Sequence, residues 1–255
     1  MPVRHRKKSA TSYLGWVHVP VAGRPIRHES TLERDFLHWM PFVASLIRIE
    51  EQPVCVCDQG HKYTPDFNLE LRDNQSRFRG IEYTHLVEVK PFRVLQRDWE
   101  KLQPRIQLGL EYARTKGWNF KVLTELEIRP TELPLIQFLR RFLQVEAPKD
   151  LTAWLLQQLA VQPLTLLDLL SRAKKILGLE PHQTLPTIWN LVATKMICLA
   201  APPRLDYQIV LSHAETRNLG VWIPGERLTG ILRDSWELRP LVHSHFSQPP
   251  PASVP

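Results

Sequence analysis

Two short motifs stand out by residue type and spacing. They are Pro65-Asp66 and Glu88-Val89-Lys90, with Glu88 following Asp66 by 22 positions. Side chains alternate between faces along a strand, so Glu88 and Lys90 share a face across Val89. Asp66 belongs to a neighbouring strand-like run, and pairing of the two runs brings an aspartate, a glutamate and a lysine to one sheet edge. That set suits metal-assisted phosphodiester hydrolysis. Asp66 and Glu88 are hard oxygen ligands for Mg²⁺, with Mn²⁺ as a substitute, and the Val89 carbonyl offers a third oxygen. The metal polarises the phosphate and lowers the pKa of a water. Lys90 orients that water or stabilises charge on the transition state. Acids beside a lysine also occur on plain solvated strands. Here Val87, Val89 and Phe67 mark core strands, where projecting charges need a partner or a task.

The elements that must position these residues follow from periodicity. Residues 13–28 read as extended entry structure. Residues 30–40, STLERDFLHWM, read as a helix with Leu32, Phe36 and Trp39 or Met40 on one face. Ser30 with Glu33 three positions on is a capping-box pattern, so spacing alone makes Glu33 a cap. Runs 46–57, 63–71 and 85–91 read as a three-stranded meander, with Phe67, Leu69 and Leu71 on one face. Leu95, Trp99, Leu102, Ile106 and Leu110 form one apolar stripe of a helix over 93–115. Arg93, Arg97, Lys101 and Arg105 lie beside that stripe, as a solvated flank or as phosphate contacts. A strand over 120–128 completes a β-α-β crossover, which makes this part α/β, and 131–145 reads as a further helix.

From about residue 148 the chain becomes Leu-rich. Segments 150–160, 165–177 and 184–199 read as three helices and 204–212 as a returning strand, a pattern that predicts a small, mainly helical winged-helix domain. Its third helix carries Lys195 as its one basic residue, and Lys174 and Lys175 precede it. Ile188, Trp189, Leu191 and Val192 exceed what one buried face requires, which favours protein docking over base readout. Residues 213–255 read as irregular. The last fifteen, 241–255, hold no Lys, Arg, Asp or Glu and read as a disordered or partner-ordered tail. The expected units are 1–147, 148–240 and 241–255.

The chain has 255 residues and a formal net charge of +7, a balance common in partners of polyanions. Residues 1–30 carry Arg4, Arg6, Lys7, Lys8, Arg24 and Arg27 against Glu29, a basic arm that is either solvated or phosphate-binding. No apolar run approaches the ~20 residues of a membrane span, and the basic start lacks a signal peptide's apolar stretch; the expectation is a soluble intracellular protein without a membrane partner. Cys55, Cys57 and Cys198 are too few for a disulfide framework. Cys55-x-Cys57 near His61 lacks a second ligand pair for zinc, and reads as strand packing.

The run ESTLERDF (29–36), EQP (51–53), YTPDF (63–67), VEVKP (87–91) and FKVLTE (120–125) resembles the TnsA family of transposon-end endonucleases, including relatives from CRISPR-associated transposons. The resemblance follows the order of blocks through residues 1–145. It implies a restriction-endonuclease-like fold of the PD-(D/E)xK type, a mixed sheet flanked by helices, over 1–147. It carries catalytic roles to Glu33, Asp66, Glu88 and Lys90; Glu125 matches a family block as well. It implies a Mg²⁺-dependent cut at the 5′ ends of a mobile element, a DDE-type transposase partner subunit, and an AAA+ ATPase regulator contacted through the C-terminal domain. It also implies a DNA-associated protein of a prokaryotic cytoplasm. The chain departs from the family pattern over 34–51, which is more apolar, and in an insertion over 73–84. Two other readings stand beside it: a restriction or repair nuclease of the same fold, and a catalytically silent DNA-binding adaptor.

Overall fold

A computed structural model of the chain describes residues 13–58, 60–72, 80, 82–216 and 220–233. Strands β1 (Gly15–His18) and β2 (Pro25–His28) form an antiparallel hairpin. Helix α1 (Thr31–Trp39) follows, and Ser30 Oγ accepts from Glu33 N at 3.1 Å to cap it. The main sheet uses β3 (Leu46–Glu51), β6 (Phe67–Arg72), β7 (Glu82–Val89) and β8 (Asn119–Leu123), in the order β3-β6-β7-β8. Between β3 and β6 lies a small hairpin, β4 (Val56–Asp58) and β5 (His61–Tyr63). The expected strand over 46–57 is therefore two strands, interrupted around Pro53, which has no N–H for a ladder.

The first three strands of the sheet are antiparallel neighbours, as the meander requires. β8 runs parallel to β7, because helices α2 (Phe92–Arg97) and α3 (Trp99–Thr115) carry the chain back between them. Phe67, Leu69, Leu71, Val87 and Val89 bury one sheet face with α1, where the Phe36 and Phe67 rings lie 5.2 Å apart. Leu86 and Phe120 bury the other face with Ile106 and Leu108 of α3 and with Tyr63. The anticipated stripe of Leu95, Trp99, Leu102, Ile106 and Leu110 packs here. The single helix expected over 93–115 is instead broken at Asp98, which begins α3. The strand expected over 120–128 stops at Leu123. Thr124 caps a short helix, α4 (Glu125–Ile128), through a full capping box with Glu127, a local signal stronger than the apolar alternation. Helix α5 (Leu133–Leu139) occupies the centre of the expected 131–145 helix.

The C-terminal part contains α6 (Lys149–Val161), β9 (Leu164–Thr165), α7 (Leu166–Leu177), α8 (Pro181–Ala193), β10 (Ile197–Ala200), β11 (Val210–His213), β12 (Val221–Trp222) and α9 (Glu226–Arg233). Its antiparallel sheet has the order β12-β10-β11-β9. The helix expected over 184–199 ends at Ala193, and residues 197–200 are strand; the strand expected over 204–212 is confined to β11. Part of the segment expected to be irregular, 213–255, forms β12 and α9. The tail expected over 241–255 lies outside the described residues.

The surplus apolar surface of α8 is used inside this chain. Thr184 and every residue from Thr187 to Ala193 is buried. Trp189 meets Phe138 edge-on at 5.4 Å, and Asn190 Nδ2 donates to the carbonyls of Phe142 and Val145 at 2.8 and 3.1 Å. A helix apolar on all sides is a core helix, so Ile188, Trp189, Leu191 and Val192 are not a free docking face. Lys195 lies beyond α8 at φ 66°, and its Nζ donates to the Phe42 carbonyl at 2.6 Å. One hydrophobic core thus runs from α1 to α9. Among the described residues no helix is long and apolar enough to cross a membrane.

Trp189→Ala is expected to cost about 3–5 kcal/mol of stability through the cavity it leaves, and to unfold the sheet of β3-β6-β7-β8 together with the C-terminal helices. Urea unfolding followed by hydrogen exchange on both parts checks this; separate transitions would contradict a shared core.

Candidate active site

The site lies where β6 begins and β7 ends. The N–H of Gln52 donates to the Asp66 carbonyl at 2.9 Å, extending the β3–β6 ladder by one step. Gln52 holds φ 46°, a strained conformation for a non-glycine residue that the Asp66 bond helps fix. The Asp66 carboxylate then crosses to β7, where Oδ2 accepts from Val89 N at 2.7 Å. Lys90 is positioned by its own N–H, which donates to the Leu123 carbonyl of β8 at 3.0 Å. Its Nζ lies 2.8 Å from Glu88 Oε1, so the two side chains do share a face across Val89. The second Glu88 oxygen, Oε2, accepts from the Tyr63 hydroxyl at 2.8 Å.

Glu33 joins this group from α1. As a cap it departs from the expected box in one detail: its Oε2 accepts from Glu29 N at 2.7 Å rather than from the N–H of Ser30. Its charge nevertheless acts on the other site residues. Asp66 is half-buried, and its carboxyl is held well above the usual range, first by desolvation, then by the charges of Glu88 and Glu33, with Lys90 opposing. Glu33 is also raised, first by desolvation and further by the charge of Glu29, against hydrogen bonds from Glu29 and Ser30. Burial works against the Lys90 ammonium, but Glu88, Asp66 and Glu33 together outweigh it and raise its pKa. Burial pushes the Tyr63 phenol up, and Glu88 and Asp66 push it further. Three carboxyl groups and one ammonium therefore share one electrostatic neighbourhood.

That neighbourhood fits a divalent cation. The donors are hard oxygens, and the cost of crowding Asp66, Glu88 and Glu33 is what a second positive charge would relieve. Among the described residues no three His, Cys, Asp or Glu side chains converge on one point; an ion here would be held by the carboxylates of Asp66 and Glu88 with a backbone carbonyl. Cys55, Cys57 and His61 form no such group either among the described residues. The Cys55 and Cys57 sulfurs lie 3.8 Å apart as free thiols, and Cys198 is a buried free thiol.

Residues 44–125, from just before β3 to the start of α4, match the family described as TnsA-like endonuclease N terminal. That segment is similar to the N-terminal domain of TnsA-like endonucleases. No curated protein matches the chain. The matched segment contains Asp66, Glu88, Val89 and Lys90, while Glu33 precedes it.

The remaining expected residues take other positions in the fold. Glu125 Oε2 accepts from Phe92 N at 2.8 Å, satisfying an otherwise unbonded donor in the first turn of α2. Arg93, Arg97, Lys101 and Arg105 are all exposed, but the break at Asp98 puts them on two helices, and Arg97 is paired with Asp98 at 2.7 Å. Arg24 of the expected basic arm makes a two-pronged bond to Glu51 at 2.7 Å on both arms, and Arg27 lies 3.8 Å from Glu29. Arg4, Arg6, Lys7 and Lys8 lie outside the described residues. Sequence reasoning missed Tyr63 and Gln52, although both stand inside the quoted blocks YTPDF and EQP. It also missed Asp35, a buried carboxylate whose Oδ2 accepts from Arg129 Nε at 2.7 Å and so fastens α1 to the end of α4.

A raised folded-state pKa means the folded protein holds its proton more tightly than the unfolded chain. Stability tied to Asp66 is therefore complete below the ordinary aspartate pKa and falls as pH rises through the folded value. Metal-free Asp66→Asn is expected to melt higher than the parent at neutral and alkaline pH, with the gap closing in acid. Melting curves across pH check this; a gap independent of pH would contradict it.

Proposed function

We propose that the chain is a Mg²⁺-dependent DNA endonuclease that cuts the 5′ ends of a mobile element, as one subunit of a heteromeric transposase. The observation that carries this reading is the buried knot at the end of β7: Asp66 on Val89 N at 2.7 Å and Lys90 on Glu88 at 2.8 Å, inside the segment that matches the TnsA-like family. Asp66, Glu88 and the Val89 carbonyl would hold the ion, which supplies Lewis-acid polarisation of the phosphodiester and a more acidic water. The raised pKa of Lys90 keeps it cationic at neutral pH, ready to stabilise charge growing on the phosphate. Glu33 adds negative charge at the ion's site and reports on it through α1. The full set of Glu33, Asp66, Glu88 and Lys90 argues against a silent adaptor, and the family match favours transposition over restriction or repair.

The element order α6, β9, α7, α8, β10, β11 supports a winged-helix reading of the C-terminal part. With α8 buried and Lys195 spent on Phe42, that part is a poor base reader. Exposed apolar residues elsewhere on it, Val161, Leu167, Ile176, Leu205 and Tyr207, support protein docking instead. The partners are transposon-end DNA, a DDE-type transposase subunit and an AAA+ ATPase regulator.

Asp66→Ala and Lys90→Ala are each expected to lose 5′-strand cleavage by ~10³-fold or more while remaining folded. Mg²⁺ or Mn²⁺ should support turnover, and Ca²⁺ should bind without it. The assay is cleavage of element-end DNA with the partner subunit present; undiminished cleavage by folded Asp66→Ala, or activity that survives exhaustive chelation, refutes the reading.

Arg93, Lys101 and Arg105 form no ion pair among the described residues, unlike Arg97, and are proposed to touch phosphates. Each lost contact lowers the slope of log affinity against log salt by about 0.9. Replacing the three by alanine should flatten the slope on every duplex sequence, and Arg97→Ala should leave it near the parent value. Binding titrations at several salt concentrations decide the matter, and an unchanged slope makes these residues a plain solvated face.

A further inference from the structure

We propose that Tyr63 is a positioning residue that fixes the orientation of Glu88, and that Gly109 is the glycine that admits it; this rests on the nuclease reading above. A glutamate carboxylate turns about a broad, two-fold terminal torsion. One hydrogen bond leaves its plane free to rotate, and two from different directions fix it. In Glu88 each oxygen has its own partner: Lys90 on Oε1 at 2.8 Å and the Tyr63 hydroxyl on Oε2 at 2.8 Å. Tyr63 is 6% exposed, and its ring tilts against Phe120 at 6.2 Å, so the phenol has one well-defined place to reach from. Phenylalanine would fill that place equally well. A buried tyrosine there carries a hydroxyl that must find an acceptor, and it finds Glu88.

The helix that covers Tyr63 is built around this contact. A Cβ placed on Gly109 of α3 would stand 2.3 Å from Tyr63 Cε1 and 2.7 Å from Phe120 Cε2. Both rings are buried, so neither can swing away as a flexible surface chain would. Glycine in the middle of a helix is unfavourable relative to alanine, and here it lets α3 approach the Tyr63 ring. The chain of contacts runs from Gly109 through the Tyr63 ring to Glu88 Oε2. With Oε2 assigned to Tyr63, Oε1 is the oxygen left to be shared between Lys90 and a cation.

Outer partners of metal ligands typically contribute ten- to a hundredfold in metal affinity. The test uses the full chain as Tyr63→Phe, Gly109→Ala, the double variant and Asp66→Ala. Mn²⁺ affinity is read by electron paramagnetic resonance and folding by thermal melting. Tyr63→Phe is expected to melt as one cooperative unit and to bind Mn²⁺ about tenfold more weakly. Gly109→Ala keeps the hydroxyl but displaces the ring, and should weaken Mn²⁺ similarly. The double variant should be no weaker than the poorer single one, because both act through Glu88. Parent-like Mn²⁺ affinity in Tyr63→Phe, with Asp66→Ala impaired, overturns the role of Tyr63 and leaves the metal site standing. Additive losses in the double variant overturn the link from Gly109. Parent-like Mn²⁺ binding by Asp66→Ala overturns the metal site and this inference together.

Discussion

Burying carboxyl groups beside one another is unfavourable unless something offsets their charge. The corner shared by Asp66, Glu88 and Glu33 is organised around that constraint. Desolvation with the charges of Glu88 and Glu33 holds Asp66 toward its protonated form, desolvation with the charge of Glu29 does the same to Glu33, and the Lys90 ammonium opposes both. The corner is tolerated because it is tied by hydrogen bonds on several sides: Val89 N–H on Asp66, Tyr63 on Glu88, Glu29 N–H on Glu33. Each bond comes from a different element, so the electrostatic tension is held by the whole scaffold rather than by one loop.

The scaffold is correspondingly rigid. β7 lies inside the sheet between β6 and β8, and its residues from His85 to Val89 are all buried. α1 closes one face of the sheet and α3 the other. α1 is fastened by Arg129 on Asp35 and Thr31 and by the Trp39 indole on the Ile128 carbonyl at 2.9 Å. Those clips fix the height at which Glu33 meets Asp66 and Lys90. Glu125, at the far end of β8, bonds the first turn of α2 and so sets how the chain leaves Lys90.

The C-terminal region is part of the same body. α8 spends its apolar surface on the shared core, Lys195 spends its charge on the Phe42 carbonyl, and Lys121 of β8 reaches the Ile231 carbonyl of α9 at 2.8 Å. The apolar residues of α8 and Lys195, which look like docking or DNA-reading groups in the sequence, are thus internal contacts of the fold. Val161 of α6, Leu167 and Ile176 of α7, and Leu205 and Tyr207 of the 201–209 loop stay exposed.

Local chemistry carried much of this into the sequence. Alternation around Phe67, Leu69 and Leu71 marked the central sheet, Ser30 with Glu33 marked the start of α1, and the β-α-β step marked a parallel β8. The pairing of Asp66 with Glu88 and Lys90 was legible because strand period and spacing alone bring them to one edge. Other features depended on distant contacts. Asp98 ends a helix whose apolar stripe runs on through it, and the Thr124 capping box ends a strand whose alternation runs on to Ile128. The apolar excess of α8 could not name its partner, since hydrophobicity is non-directional. Tyr63 and Gly109 are 46 positions apart and look unremarkable separately. Only the packing of α3 on the β4–β5 hairpin makes one the support of Glu88 and the other the space it needs, because a hydrogen bond of 2.8 Å and a clash of 2.3 Å are properties of folded distance, which sequence spacing does not encode.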